Sequence, residues 1–307
     1  MRRDARKCAR ARRRCAFSLA AGAANVGLGP TGCRRSRRDP AVGRRVLGAQ
    51  LTLRDAPKII LENVTLGYDR RPAVHHVSGE IAPGDLLAVC GPNGGGKSTF
   101  LKGLAGLIAP MGGRILRGGA KAGAFAYLPQ SAEIDRTFPI CVQDFIALGG
   151  LRRRGLFSGF GGDEDARVGQ AIEAVGLSGL EARGLETLSG GQMQRALFAR
   201  LVVEDCAVIL LDEPFGAIDA ATTLDLLALI AAWRAEGRTV IAALHEFDIV
   251  RQAFPKTLLL AREAIFWGDT AQALSPENLK KAKDMAAAYD ASAQLCERDE
   301  AEHANAV

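Results

Sequence analysis

An α/β fold with a parallel sheet at its centre is predicted by three features of this sequence. Short apolar runs without polar alternation recur at 86–90, 125–128, 208–211 and 240–244, the pattern of strands buried on both faces. Segments of helical spacing, 98–107 and 224–233 among them, lie between these runs. The first run ends in a glycine-rich turn that leads directly into a helix. With 48% hydrophobic and 24% charged residues over 307 positions, most of the chain has the composition of a folded domain.

In chain order, residues 1–54 hold fifteen Lys or Arg against two acids, Asp4 and Asp39, a net charge of +13 without a sustained helical or strand period. They read as an unstructured basic leader. A translation start assigned too far upstream accounts for it best, with the functional start near Val46 or Leu51. A secretory signal or an organellar transit peptide fits less well. The rest of the chain carries a net charge of −7, so the overall +6 gives no support for a nucleic-acid-binding body. Seven cysteines at 8, 15, 33, 90, 141, 206 and 296 form no CxxC pair, which excludes a disulfide framework or a zinc knuckle. No stretch approaches the ~20 apolar residues of a membrane span. The richest run, 226–233, has eight.

From Lys58 the texture changes. Residues 59–66 alternate in part and read as a strand, and the helix at 98–107 spaces Phe100, Leu101, Leu104 and Leu107 along one side. Residues 258–260 and 265–267 read as strands joined by a turn at 261–263. Ser275 and Pro276 are the N-cap and first position of a charged helix that runs to about Leu295. His75 and His76 read as a loop pair ahead of Val77. Cys296 and His303 belong to a frayed acidic tail, and neither pair has the spacing of a zinc site. The run Arg152, Arg153, Arg154 and the glycine-rich 159–162 read as a solvated connection.

The chemistry starts at Gly91-Pro92-Asn93-Gly94-Gly95-Gly96-Lys97-Ser98, followed by Thr99. This fits G-x-x-x-x-G-K-[ST] with a strand before it and a helix after it, the context that a phosphate-binding loop requires. Its glycines allow backbone N–H groups to turn inward around phosphate oxygens at the positive end of the helix. Lys97 is expected to reach the β- and γ-phosphates, and the Ser98 hydroxyl to ligate Mg²⁺. The run 208–211 then delivers Asp212 and Glu213 at a strand's carboxyl end. Asp212 suits Mg²⁺ through its water shell, and Glu213 suits polarisation of an attacking water.

Leu188-Ser189-Gly190-Gly191-Gln192, followed by Gln194 and Arg195, resembles the signature of the ATP-binding cassette (ABC) ATPases. Gln130 stands at that family's Q-loop, Asp219 at its D-loop and His245 at its switch histidine; Tyr68 matches the aromatic that stacks on adenine. The resemblance spans 58 to about 270 with every motif in family order. It implies a P-loop NTPase core with an antiparallel β subdomain, a helical signature subdomain at about 131–188, and bounds of 58–272 for the ATPase domain. A C-terminal helix and acidic tail would occupy 273–307. It further implies ATP and Mg²⁺, the latter through Ser98, Gln130 and Asp212; Glu213, His245 and Gln130 as catalytic residues; and Tyr68 with 91–99 on the nucleotide. Residues 188–192 would face the ATP of a second copy, so the chain would hydrolyse ATP as a dimer.

One cassette without a membrane span implies a separate-subunit transporter ATPase. It would dock on an integral membrane permease at the cytoplasmic face of the inner membrane and serve an extracytoplasmic metal-binding protein indirectly. Lys97 and Ser189 are 92 positions apart, which excludes the long coiled coil of the DNA-repair members, and a single cassette argues against the ribosome-associated ones. No nucleic-acid partner is expected. Asp135-Arg136-Thr137-Phe138-Pro139 after Gln130 is similar to ATPases of zinc and manganese importers. The stretch 254–263, with Trp267-Gly268 and Ser275-Pro276-Glu277, looks like a zinc branch. Zinc import is therefore expected, with iron–siderophore or haem import as the alternative. The Glu246 that follows His245, where relatives often carry aspartate, changes none of this.

Overall fold

The unbroken apolar runs exist because alternate side chains feed two different cores. In β3 (Leu86–Cys90), Leu86, Ala88 and Cys90 enter one cluster, while Leu87 and Val89 enter the other. The same division holds for Ile209 and Leu211 against Val208 and Leu210 in β6 (Val208–Asp212). A strand covered on both faces has no polar side to show.

The computed structural model describes residues 56–120, 123–130, 134–151, 162–216 and 218–291. A six-stranded sheet runs in the order β5-β6-β7-β3-β8-β9, with β5 (Phe125–Leu128), β7 (Thr239–Ala243), β8 (Lys256–Ala261) and β9 (Glu263–Asp269). Its pairings are parallel except the last, where β9 returns antiparallel on β8. A second, antiparallel sheet is ordered β2-β1-β4, from β1 (Ile59–Tyr68), β2 (Arg71–Ile81) and β4 (Gly112–Leu116). This is the α/β architecture with an antiparallel sheet that the sequence predicts.

Two strands of that smaller sheet escape sequence reading. His75 and His76 do not form a loop; they lie inside β2. The pairing steps from Val64↔Val77 to Leu66↔Val74, so β2 carries one residue more than β1 over that interval. His76 takes φ 48 there, and Asn63, in an opposite irregularity of β1, takes φ 51. The His76 Nδ1 and Asn63 Oδ1 atoms meet at 3.0 Å. These bulges destroy the period-two pattern that would mark the strands. Gly112, Gly113 and Arg114 conceal β4 in the same way.

Among the helices, α1 (Lys97–Ala105) ends two residues short of the expected 107. Gly106 turns left-handed at φ 76, and its N–H caps the carbonyls of Gly103 and Lys102. α2 (Val142–Ala147) and α3 (Gly162–Ala174) pack on α4 (Gly190–Glu204) through Phe145, Ile146, Val168, Ile172 and Met193. α5 (Ala220–Ala235) lies between β6 and β7 in the chain and buries Leu226, Ile230 and Trp233; Trp233 stacks on Phe198 of α4 at 5.8 Å. α6 (Phe247–Ala253), α7 (Thr270–Ala273) and α8 (Pro276–Ala291) complete the order, and the Ser275 hydroxyl accepts from Asn278 N–H as an N-cap should. No helix among the described residues is long and apolar enough to cross a membrane. The leader 1–54, the Arg152–154 run with the glycines at 159–161, the far end of the last helix, Cys296 and His303 lie outside the described residues.

Candidate functional site

The turn after β3 is shaped by how little room its glycines have. A Cβ on Gly91 would stand 1.8 Å from the Leu260 carbonyl oxygen, and one on Gly96 would stand 2.5 Å from both the Ala73 oxygen and a Val74 methyl. Gly96 also takes φ 89, a conformation that side chains disfavour. The next residue, Lys97, opens α1. The turn is tied from outside: Arg262 N–H donates to Gly95 O at 3.0 Å, and the Arg262 carbonyl accepts from His75 N–H at 2.7 Å.

Lys97 is only 6% exposed, and its Nζ donates to the Gly91 and Pro92 carbonyls at 3.0 and 2.9 Å. Burial lowers its pKa from the ordinary lysine value, while Glu213, Cys90 and Asp212 push the other way. The neighbouring Cys90 thiol is pushed up to about 12 by burial, with Lys97 opposing, so it is a packing thiol and not a nucleophile.

β6 carries Asp212 directly alongside. Its Oδ1 accepts from Ser98 Oγ at 3.0 Å and its Oδ2 from Tyr127 O–H at 3.0 Å, in a position 1% exposed. Two hard oxygens at the edge of a phosphate cradle form a donor set that suits Mg²⁺. Glu213 follows with φ 50, its N–H bonded to Ala243 O at 3.1 Å, and its carboxylate Oε1 meets His245 Nε2. That contact spans the carboxyl ends of β6 and β7, where parallel α/β sheets place their ligands.

A cleft of about 410 Å³ opens at this point. Its walls take Tyr68, Asn93, residues 94–99, Gln130 and Glu213 from the residues that the sequence singled out, together with Ala73, which it did not. Tyr68 projects at the end of β1, 48% exposed, as an accessible aromatic face must be. Asp212 and the turn residues Gly91 and Pro92 adjoin the cleft through Ser98 and Lys97, and His245 through Glu213.

None of Leu188, Ser189, Gly190, Gly191 or Gln192 lines this cleft. They form a different feature. Ser189 caps α4 in a capping box, its Oγ accepting from Gln192 N–H at 3.2 Å and its own N–H donating to Gln192 Oε1 at 3.0 Å. Asp219 caps α5, accepting from Thr222 N–H and Oγ1 at 2.9 Å each, and those bonds hold its carboxyl below the usual range. Arg195 joins the two caps: it donates to Thr222 Oγ1, Asp225 and the Val175 carbonyl. Among the described residues, no group of three or more His, Cys, Asp or Glu is disposed to hold a metal ion by itself.

Three residues of this neighbourhood were missed in the sequence: Ala73, Tyr127 and Arg262. Ala73 and Tyr127 reach the site from strands and Arg262 from the turn between β8 and β9, and none carries a local motif. Comparison with known proteins agrees with the geometry. The ABC transporter family profile matches residues 74–216. A manganese transport system ATP-binding protein of Listeria monocytogenes is 34% identical over 224 residues, covering 72% of this chain and 93% of its own. A zinc transport system ATP-binding protein of Treponema pallidum is 34% identical over 226 residues, covering 72% and 85%. The solved inward-facing structure of a transporter described as metal-chelate type superposes with a TM-score of 0.66 at 30% identity, over 75% of this chain and 90% of that one.

Proposed function

Because this chain belongs to the ABC transporter ATPases, which bind and hydrolyse ATP, we propose that it drives a separate membrane permease importing a divalent transition metal. In this reading the glycine turn and the N-terminus of α1 hold the phosphates, Lys97 exchanges its Gly91 and Pro92 carbonyls for phosphate oxygens, and Tyr68 stacks on the base. Ser98, Asp212 and Gln130 would hold Mg²⁺, which would supply neutralisation of the phosphate charge. Glu213 orients a water and takes its proton as the water oxygen attacks the γ-phosphorus and the bond to the β–γ bridging oxygen breaks. His245, with Nε2–H toward the Glu213 carboxylate, keeps that carboxylate aimed and then faces the developing charge.

The observation that carries this reading is an incompleteness. The cleft draws no lining residue from 188–192, while Ser189 and two glycines open a 15-residue helix whose free N–H groups and dipole favour an anion. A second copy, facing head to tail, would supply that helix end to the first copy's γ-phosphate. Glu213→Gln keeps size and removes the proton acceptor; hydrolysis should fall by about 10²–10⁴-fold while ATP stays bound. The variant should then run as an ATP-dependent dimer on size exclusion, and adding Ser189→Arg should return it to monomer. Normal turnover by a variant that stays monomeric with ATP would refute the assignment.

The finer reading is zinc, supported by the resemblance of 254–277 to a zinc branch. Manganese is the second reading, favoured by the manganese transport system to which the Listeria relative belongs. Uptake of radiolabelled zinc, manganese and a ferric siderophore by a strain carrying or lacking the gene separates these outcomes. Docking on the permease at the cytoplasmic membrane face belongs to the same proposal, as does an extracytoplasmic binding protein upstream of it.

A further inference from the structure

The Asp212 carboxylate is gripped from two sides. Ser98 holds Oδ1, and Tyr127, 85 positions away in the chain, holds Oδ2. Tyr127 comes from β5, which runs parallel to β6 with Tyr127 opposite Leu210, so the phenol reaches along the neighbouring strand to the acid at its end. Its ring packs against the buried core that includes Val208, Leu210 and Phe100. Three residues beyond it, just past the end of that strand, Gln130 lines the cleft.

The two grips are not equivalent. The Ser98 hydroxyl has a second task, because it belongs to the oxygen set offered to a cation. The Tyr127 hydroxyl lies on the far oxygen and does not compete. A carboxylate turns about its last bond, so fixing one oxygen fixes where the other points.

We propose that Tyr127 is a positioning residue of the nucleotide site: its O–H locks the plane of the Asp212 carboxylate so that Oδ1 faces the magnesium position, and it ties that acid to the strand that leads into Gln130. This rests on the ATPase reading above. Partners of this kind set the affinity of a metal site by about ten- to a hundredfold, because they orient the ligand group without touching the ion.

The test uses the full chain and a fluorescent ATP analogue. Its affinity is titrated against magnesium concentration and, separately, in EDTA, for the native protein and for Tyr127→Phe, which keeps the ring and deletes the donor. The expected result is that half-saturating magnesium rises about tenfold or more while the affinity in EDTA is unchanged. Pairing with Ser98→Ala should give a double variant whose loss is less than the two single losses combined, since both act on one carboxylate. An unchanged magnesium requirement in a folded Tyr127→Phe protein overturns the proposal, as does an equal loss with and without magnesium. If that variant does not fold, a site-specific monofluorotyrosine, the same shape with a more acidic hydroxyl, replaces it: a magnesium requirement at or below the native value supports the proposal, and a higher one overturns it. Failure of the native protein to bind the analogue at all would strike the ATPase reading instead.

Discussion

Gly94 and Gly96 make a matched pair for testing how the phosphate turn is built. Both have positive φ, 72 and 89, so alanine at either meets the left-handed penalty of roughly 1–2 kcal/mol. They differ in what surrounds them. A Cβ on Gly94 meets nothing within 4 Å, whereas one on Gly96 meets the Ala73 carbonyl oxygen and a Val74 methyl at 2.5 Å. Val74 is fully buried in β2 and the oxygen is main chain, so neither can swing aside cheaply. Either β2 or the turn must move by close to an ångström, an overpacking that adds about 1–3 kcal/mol. Gly94→Ala should therefore lower stability by about 1–2 kcal/mol and Gly96→Ala by about 2–5 kcal/mol. Urea denaturation of both variants gives the difference directly, and titration with a fluorescent ATP analogue shows whether the displaced turn still binds. Equal losses, or a larger loss at Gly94, would show that the contact with β2 does not shape this turn.

Two further expectations follow from buried charges. Arg238, whose side chain is 10% exposed, bonds Asp205, Glu236 and the Cys206 carbonyl, stapling the ends of α4 and α5 to β7. Arg238→Met strands both acids and should cost about 3 kcal/mol in urea denaturation; a loss below about 1 kcal/mol refutes the staple. The Lys97 pKa is lowered by burial from its unfolded value of 10.5, so below its folded pKa the native state carries the full penalty of a charged, buried amine. Between the folded and unfolded values the native protein releases the proton while the unfolded chain keeps it, so stability rises with pH there. Relative to Lys97→Met, the native protein should gain stability on approaching 10.5, measured as the difference in urea midpoint; a difference that falls with pH contradicts the sign.

What could be read from the sequence was whatever is contiguous. The glycine turn, Lys97 and Ser98 are neighbours in the chain, and β3 and the first four residues of β6 are apolar because both of their faces are covered. Strand edges and bulges were harder. Pro72, His75 and His76 break the alternation of β2, and the His76 bulge exists only because β1 pairs with it out of step. Tyr127 and Arg262 are invisible in one dimension, since their partners, Asp212 on β6 and Gly95 in the phosphate turn, are distant in sequence and a hydroxyl or a backbone N–H announces nothing. Ser189 and Asp219 stood out by their resemblance to family motifs, and in the structure each caps a helix, through Gln192 N–H and Thr222 N–H. That Leu188–Gln192 do not line the cleft agrees with what the signature resemblance implies, and nothing in the residues themselves records it.

The sheet order sets a timetable for synthesis. β3, which ends in the phosphate turn, has β7 and β8 as its neighbours, with Leu86 opposite Val240 and Cys90 opposite Leu259. The strap on that turn, Arg262 to Gly95, arrives later still. A ribosome therefore extrudes Gly91 and Lys97 long before the strands and the bond that give them shape. Pairings so distant in sequence close slowly, because the intervening chain must first be organised. The turn therefore takes its full set of contacts only after residue 262 has left the ribosome, and a chain that stops before β7 lacks both strands that flank β3.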